Sequence, residues 1–138
     1  MQIIEVKNQL VSTIALIDDE NKILVGKRPV GKVFENLWEF PGGKVKKNET
    51  VEQALIRETK EEINIDLSEN CVAPLAFSTY RSENINIIIL LFISRKWNLD
   101  PICKAHIELR WVKANNLNKY YMPPANKFLV TSIQDLLL

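Results

Sequence analysis

Three glutamates, Glu58, Glu61 and Glu62, stand at i, i+3 and i+4 in a segment marked as a helix at both ends. Thr50 with Gln53 three residues on is a capping-box signature, in which each side chain can satisfy the other residue's backbone amide. Val51, Ala54, Leu55 and Ile63 supply apolar positions near helical spacing. The helix is expected from about Thr50 to Ile63. Asn64 fits its C-terminal end, because asparagine tolerates the left-handed conformation. On this helix the three carboxylates are neighbours on one face, and like charges so placed destabilise it. A solvated acidic face is the ordinary explanation, with Arg57 and Lys60 offsetting part of the charge. A divalent cation offsets it better, since Mg2+ takes carboxylate and phosphate oxygens together. Pro41-Gly42-Gly43, just before the helix, favours the cation. Glycine there lets backbone approach a ligand, leaving carbonyls for a metal and amides for phosphate.

The rest of the chain places this helix in a mixed α/β domain. Leu10 to Ile17 and Lys22 to Lys27 read as strands joined by the polar turn Asp18–Asn21, so a hairpin is expected. Pro29 to Asn36 is a loop, and Trp38 to Phe40 a short strand stopped by the Pro-Gly-Gly breaker. Val72 to Tyr80, Ile85 to Arg95 and Glu108 to Lys113 are further strands. Phe128 to Leu138 is a terminal helix with Leu129, Ile133, Leu136 and Leu137 as its buried stripe. Strands, helix, strands, helix argue a mixed sheet with helices packed on it. The 138 residues suit one domain, 1–138. A net charge of +1 argues against a polybasic nucleic-acid binder. Cys71 and Cys103 form no C-x-x-C pair and are expected as reduced, mostly buried thiols. No signal-peptide pattern and no span-length apolar run is visible, so a cytoplasmic location is expected.

The segment from Gly43 to Ile65 resembles the signature box of the Nudix hydrolases, G-x5-E-x7-R-E-U-x-E-E-x-G-U, where U is a bulky apolar residue. Gly43, Glu49, Arg57, Glu58, Glu61, Glu62 and Ile65 all fall in register. Thr59 stands where the pattern has an apolar residue and Asn64 where it has glycine; neither position carries chemistry in the family. The resemblance implies a Nudix α/β/α sandwich with a mixed sheet and a Mg2+-dependent pyrophosphohydrolase, with Mn2+ able to substitute. It implies Glu58, Glu61, Glu62 and the Gly42 carbonyl as metal ligands. Arg57 would orient the carboxylates, and Glu61 is a further ligand or the general base.

Flanking residues resemble the MutT-like subfamily, which hydrolyses oxidised guanine nucleotides. They are Trp38-Glu39-Phe40-Pro41-Gly42-Gly43-Lys44, Arg28 fourteen residues before Gly42, and Pro123-Pro124-Ala125-Asn126. Arg28, Glu39, Phe40, Pro41, Gly42 and Asn126 are thereby implied to contact substrate. Glu108 is the candidate for a further metal-binding glutamate, or else a rim residue on its strand. Asn126 also has a chemical reason to matter. Oxidation at carbon eight turns one Hoogsteen acceptor of guanine into a donor, and a carboxamide, with one acceptor and one donor group, can pair with that edge in a fork. The alternative is a helix cap, for which asparagine is favoured. Trp111, Tyr80 and Phe77 read first as core or sheet-surface residues, and His106 as a residue without a partner. The implied partner is a small nucleotide, with no nucleic acid or membrane and a monomer or weak homodimer. Rival readings are an ADP-ribose or other nucleoside diphosphate-X pyrophosphatase, and a non-catalytic nucleotide-binding module. The former lacks its usual proline near Tyr80-Arg81, and the latter would have an eroded box.

Overall fold

The computed structural model describes residues 5–138; residues 1–4, which the sequence reading includes in the single domain, lie outside the described residues. The elements run β1 (Lys7–Leu16), β2 (Lys22–Lys27), β3 (Trp38–Glu39), β4 (Gly42–Lys44), α1 (Val51–Ile63), β5 (Ala73–Ser82), β6 (Ile85–Ser94), β7 (Leu109–Lys113) and α2 (Asn126–Leu136). Short 3-10 turns occupy Glu69–Cys71 and Ala114–Lys119. Two sheets form. The first is mixed, in the order β4-β1-β6-β5, with β1 parallel to β6 and antiparallel to β4. The second is antiparallel, in the order β3-β2-β7.

The helices cover opposite faces, as strand alternation requires. On β1, Ile14 and Leu16 face the α1 side with Leu55, Ile63 and Phe92. Ala15 and Ile17 face the α2 side with Leu129, Val130 and Ile133. On β2, Leu24 joins the first cluster, and Ile23 and Val25 the second. β6 serves both clusters, with Leu91 on the α2 side and Phe92 on the α1 side, so its apolar run Ile87 to Ile93 lacks the alternation of a one-sided strand.

The expected β1–β2 hairpin is not what forms. The Asp18 turn is present: Asp18 Oδ1 accepts from the amides of Glu20 (2.9 Å) and Lys22 (2.8 Å), and Asn21 takes φ 59°. Only the Ile17–Ile23 bridge joins the arms. Both hydrogen-bonding edges of β1 belong to β4 and β6, so β2 passes into the other sheet. Pro41-Gly42-Gly43 likewise does not end pairing: Gly42 and Gly43 start β4, opposite Thr13 and Ser12.

The box helix forms as its caps dictate. Thr50 Oγ1 accepts from the Gln53 amide (3.1 Å) and Gln53 Oε1 from the Thr50 amide (2.8 Å). Asn64 closes the helix at φ 59°, ψ 32°. Thr59, the polar departure, is fully buried, and its hydroxyl donates to Leu55 O at 2.8 Å, which satisfies it inside the helix. Thr50→Ala should lower stability by about 1 kcal/mol. A urea midpoint equal to the wild type's would show that the box does not support the helix.

Helix α2 starts two residues earlier than expected, at Asn126. Val130 joins its buried stripe, whereas Leu136 is 45% exposed. The cysteines differ from expectation too: Cys71 is half-buried, and Cys103 is exposed with its thiol donating to His106 O. Cys103 lies in an irregular stretch, so no strand or helix face carries it into the core. Among the described residues, no helix is long and apolar enough to cross a membrane.

Candidate active site

The site lies where α1 passes over β4. Gly42 and Gly43 make this approach possible. A Cβ on Gly42 would stand 2.0 Å from Ser12 O, and one on Gly43 would stand 2.3 Å from the Glu58 carboxyl carbon. The Glu58 carboxylate thus rests directly on the Gly43 backbone. The Gly42 amide donates to Glu62 Oε1 at 3.0 Å.

Arg57 is the hub of the exposed half of the site. Its Nε and Nη2 form a fork with both oxygens of Glu49 at 3.1 and 2.6 Å. Nη1 donates to Glu58 Oε1 at 2.8 Å and to Glu61 Oε2 at 3.4 Å, and Nη2 also reaches Lys44 O at 3.0 Å. The Glu49 carboxyl is held at about 2, first by the Arg57 hydrogen bonds and then by the Lys46 amide. Arg57 is pushed above its ordinary value by the same partner. Arg57 therefore orients Glu49 and Glu58 and does not touch Glu62.

Glu62 has the opposite environment. Burial raises its carboxyl to about 7, against the Gly42 hydrogen bond and with Glu39 and Glu58 adding negative charge. A desolvated carboxylate with one amide donor and two acidic neighbours is short of positive charge. Glu58, Glu61 and Glu62 offer hard oxygen donors, the set that suits a small divalent ion. As the side chains stand, no three acidic, His or Cys groups among the described residues are gathered closely enough to hold a metal ion. Glu58 leans toward Arg57, Glu62 is drawn to Gly42, and Glu61 is 58% exposed. By donor chemistry these acids fit a divalent metal, although their side chains are not gathered around one position.

Other expected residues fall on both sides of this centre. Arg28 Nη1 donates to Glu39 Oε1 at 2.6 Å, and its Nε to Val33 O at 2.6 Å, so it closes the 29–36 loop and holds Glu39. Phe40 is 2% exposed in the α2-side core and can offer a ligand only backbone. Pro41, also buried, accepts the Ile14 amide at its carbonyl. Asn126 is 6% exposed, and among the described residues its side chain meets only the Met122 sulfur, at 4.0 Å. It does not cap α2: the cap position is Ala125, without a side-chain bond. Trp38 N donates to Tyr121 O, which ties the approach to Asn126 to β3.

Glu108 is not brought to the helix acids. Its Oε2 accepts from Arg110 Nη2 (2.6 Å) and Nε (3.1 Å), and Arg110 itself lies over the Trp38 and Tyr120 rings. The acid from outside the helix that acts on Glu62 is Glu39. Trp111 packs at the α1-side core and stacks on Trp97. Tyr80 meets Phe34 edge-on, and Phe77 is 67% exposed. His106 was expected to be partnerless. Instead its side chain is 1% exposed and its Nε2 lies 2.9 Å from Glu39 Oε2. One sequence signal could have pointed to it: Gly26 inside β2, since an isolated glycine in a strand marks a close approach. A Cβ there would lie 2.5 Å from the imidazole.

Comparison with known proteins adds four findings. The NUDIX domain family model matches residues 7–131. The chain is 29% identical to the Escherichia coli K12 8-oxo-dGTP diphosphatase, covering 86% of this chain and 91% of that one. It is 32% identical to the CTP pyrophosphohydrolase of the same organism, covering 81% and 82%. A solved MutT structure from work on Aliivibrio salmonicida and Vibrio cholerae superposes with a TM-score of 0.76 at 28% identity, covering 92% of this chain and 97% of that one.

Proposed function

The chain belongs to the Nudix family, as a hydrolase of phosphoric anhydride bonds with the α/β fold of that family, and from that premise we propose that it cleaves nucleoside triphosphates to the monophosphate and pyrophosphate, with 8-oxo-dGTP preferred. The observation that carries the substrate is Asn126, a largely buried carboxamide that does not cap its helix and finds no nitrogen or oxygen partner for its side chain among the described residues. A held carboxamide left free to pair is selective for a ligand edge that matches it. Pro123 and Pro124 stiffen the approach to it, so little ordering is needed on binding.

The metal is Mg2+, or Mn2+ in its place, with Glu58, Glu61, Glu62 and the Gly42 backbone as the groups that would hold it. When bound, it would supply positive charge that neutralises the phosphates. The chain's own residues do the rest. Arg57 spends its fork on Glu49 and keeps Glu58 turned toward the glycine strand. Arg28 and Glu39 flank the 29–36 loop and contact the nucleotide.

A nucleotide panel scored for pyrophosphate and monophosphate tests this reading, with Mg2+ or with excess chelator. Turnover should vanish in chelator and return with Mg2+ or Mn2+. The kcat/KM for 8-oxo-dGTP should far exceed that for dGTP, CTP and ADP-ribose. Asn126→Ala should reduce the preference over dGTP by about one to two decades, the worth of roughly 1–3 kcal/mol of pairing, while dGTP turnover stays near wild type. Faster hydrolysis of CTP would assign the chain to the chemistry of its CTP-cleaving relative. An unchanged ratio in Asn126→Ala would remove the base-reading role.

A further inference from the structure

Glu39 is gripped from two sides by residues distant in sequence. Arg28 takes one oxygen at 2.6 Å, and the imidazole of His106 takes the other at 2.9 Å. The imidazole is seated with care. It lies over Gly26, the residue that pairs directly with Glu39 between β2 and β3, and a side chain at that position would collide with it. Its backbone is pinned as well: Ile107 N donates to Lys27 O at 2.9 Å, and Lys104 N donates to Glu62 O at 3.2 Å. The short segment 102–107 therefore ties the acidic end of α1 to β2, the strand that pairs with Glu39.

The two ring nitrogens are unequal. Nε2 meets Glu39, whereas Nδ1 is buried with no hydrogen-bond partner among the described residues. A buried N–H without an acceptor is costly, so the proton belongs on Nε2, where it donates to the carboxylate, and Nδ1 keeps a bare lone pair. With one lone pair engaged by Arg28 and one by His106, the Glu39 carboxylate cannot swivel about its own axis. Its two remaining lone pairs then point in fixed directions.

We propose that His106 is a positioning residue that locks Glu39 through its Nε2–H, so that Glu39 meets the nucleotide in one orientation. This rests on the pyrophosphohydrolase reading, with Glu39 as a nucleotide contact. His106 itself touches neither substrate nor metal.

His106 is the only histidine in the chain, so its imidazole can be read without assignment. Long-range proton–nitrogen spectra of histidine-labelled protein should show the Nε2–H tautomer, and Glu39→Gln should shift the Nε2 resonance. A different tautomer, or an Nε2 signal indifferent to Glu39→Gln, overturns the proposal whatever the activity. In kinetics, His106→Leu should raise KM for the best nucleotide by about ten- to a hundredfold, the worth of one hydrogen bond to a charged group, with kcat within about threefold. His106→Gln places an amide N–H at the same bond distance from Cβ and should restore most of the loss. In a Glu39→Gln background, His106→Leu should add little, because the partner is already altered. Equal losses in both backgrounds, or no rescue by glutamine, would make His106 a packing residue. If the wild type turns over no nucleotide, the pyrophosphohydrolase reading fails, and the imidazole spectrum alone then decides whether His106 holds Glu39.

Discussion

Glu62→Gln is expected to lower kcat by about two to three orders of magnitude, the scale of losing one charge-stabilising group from a catalytic site. The same variant should be more stable than wild type in metal-free buffer at pH 8. The Glu62 carboxyl stands at about 7 in the folded protein, against its ordinary value of 4.5. Between those values the folded protein keeps a proton that the unfolded chain has released, so wild-type stability falls as pH rises through this window. Above pH 7 the full penalty stands, about 3 kcal/mol for a shift from 4.5 to about 7. At pH 4 it is absent. Glutamine does not titrate and can still accept the Gly42 amide, so its advantage should appear above pH 7 and vanish at pH 4. Mg2+ should stabilise wild type at pH 8 by binding the folded state alone, and should do so less for the variant. Denaturation midpoints at the two pH values, with and without Mg2+, check the whole set. Wild-type turnover by Glu62→Gln, or no stability gain at pH 8, would refute the buried-acid account.

Gly42→Ala should be the most damaging single methyl group in the molecule. The residue has φ 150°, and the added Cβ would stand 2.0 Å from Ser12 O and 2.7 Å from Thr13 Cα. These are backbone atoms of the central strand and cannot step aside. Steric overpacking of about 1–3 kcal/mol and backbone strain of similar size add to about 2–6 kcal/mol. The corresponding fall in Tm is on the order of 10–20 °C. Activity should drop with it, because the Gly42 amide holds Glu62. A variant melting within about 2 °C of wild type would show that β4 does not approach β1 as closely as described.

What could be read from the sequence was mostly local. Thr50, Gln53 and Asn64 act within a turn or two of helix, so the ends of α1 were visible in residue chemistry alone. The glutamate spacing likewise needs only a helical period. The β1–β2 relationship was not visible: the Asp18 turn is the same whether its arms pair or part, and the outcome depends on β6, some seventy residues away. His106 was missed for the same reason. Its partner is 67 positions distant, and it sits in an irregular stretch with no period to give it a face. Glu108 shows the converse. It stands just before β7 rather than as its expected first residue, and Arg110, two residues on, takes its carboxylate, a choice of rotamer that spacing does not determine.

The pairing of β1 with β6 also sets an order of events during synthesis. Ten consecutive residues of β1 are matched to partners in the range Ile85–Ser94, and these contacts close a loop of nearly eighty residues. A nascent chain that has emerged only as far as Asn64 possesses β1, β4 and the acidic helix, but nothing to occupy the other edge of β1 or to cover Leu55 and Ile63 with Phe92. Long-range pairing of this kind is slow, since loop closure precedes any reward from the contacts. Phe92 cannot cover Leu55 and Ile63 until about two-thirds of the polypeptide has been made, so the acidic helix gains its tertiary packing late in synthesis.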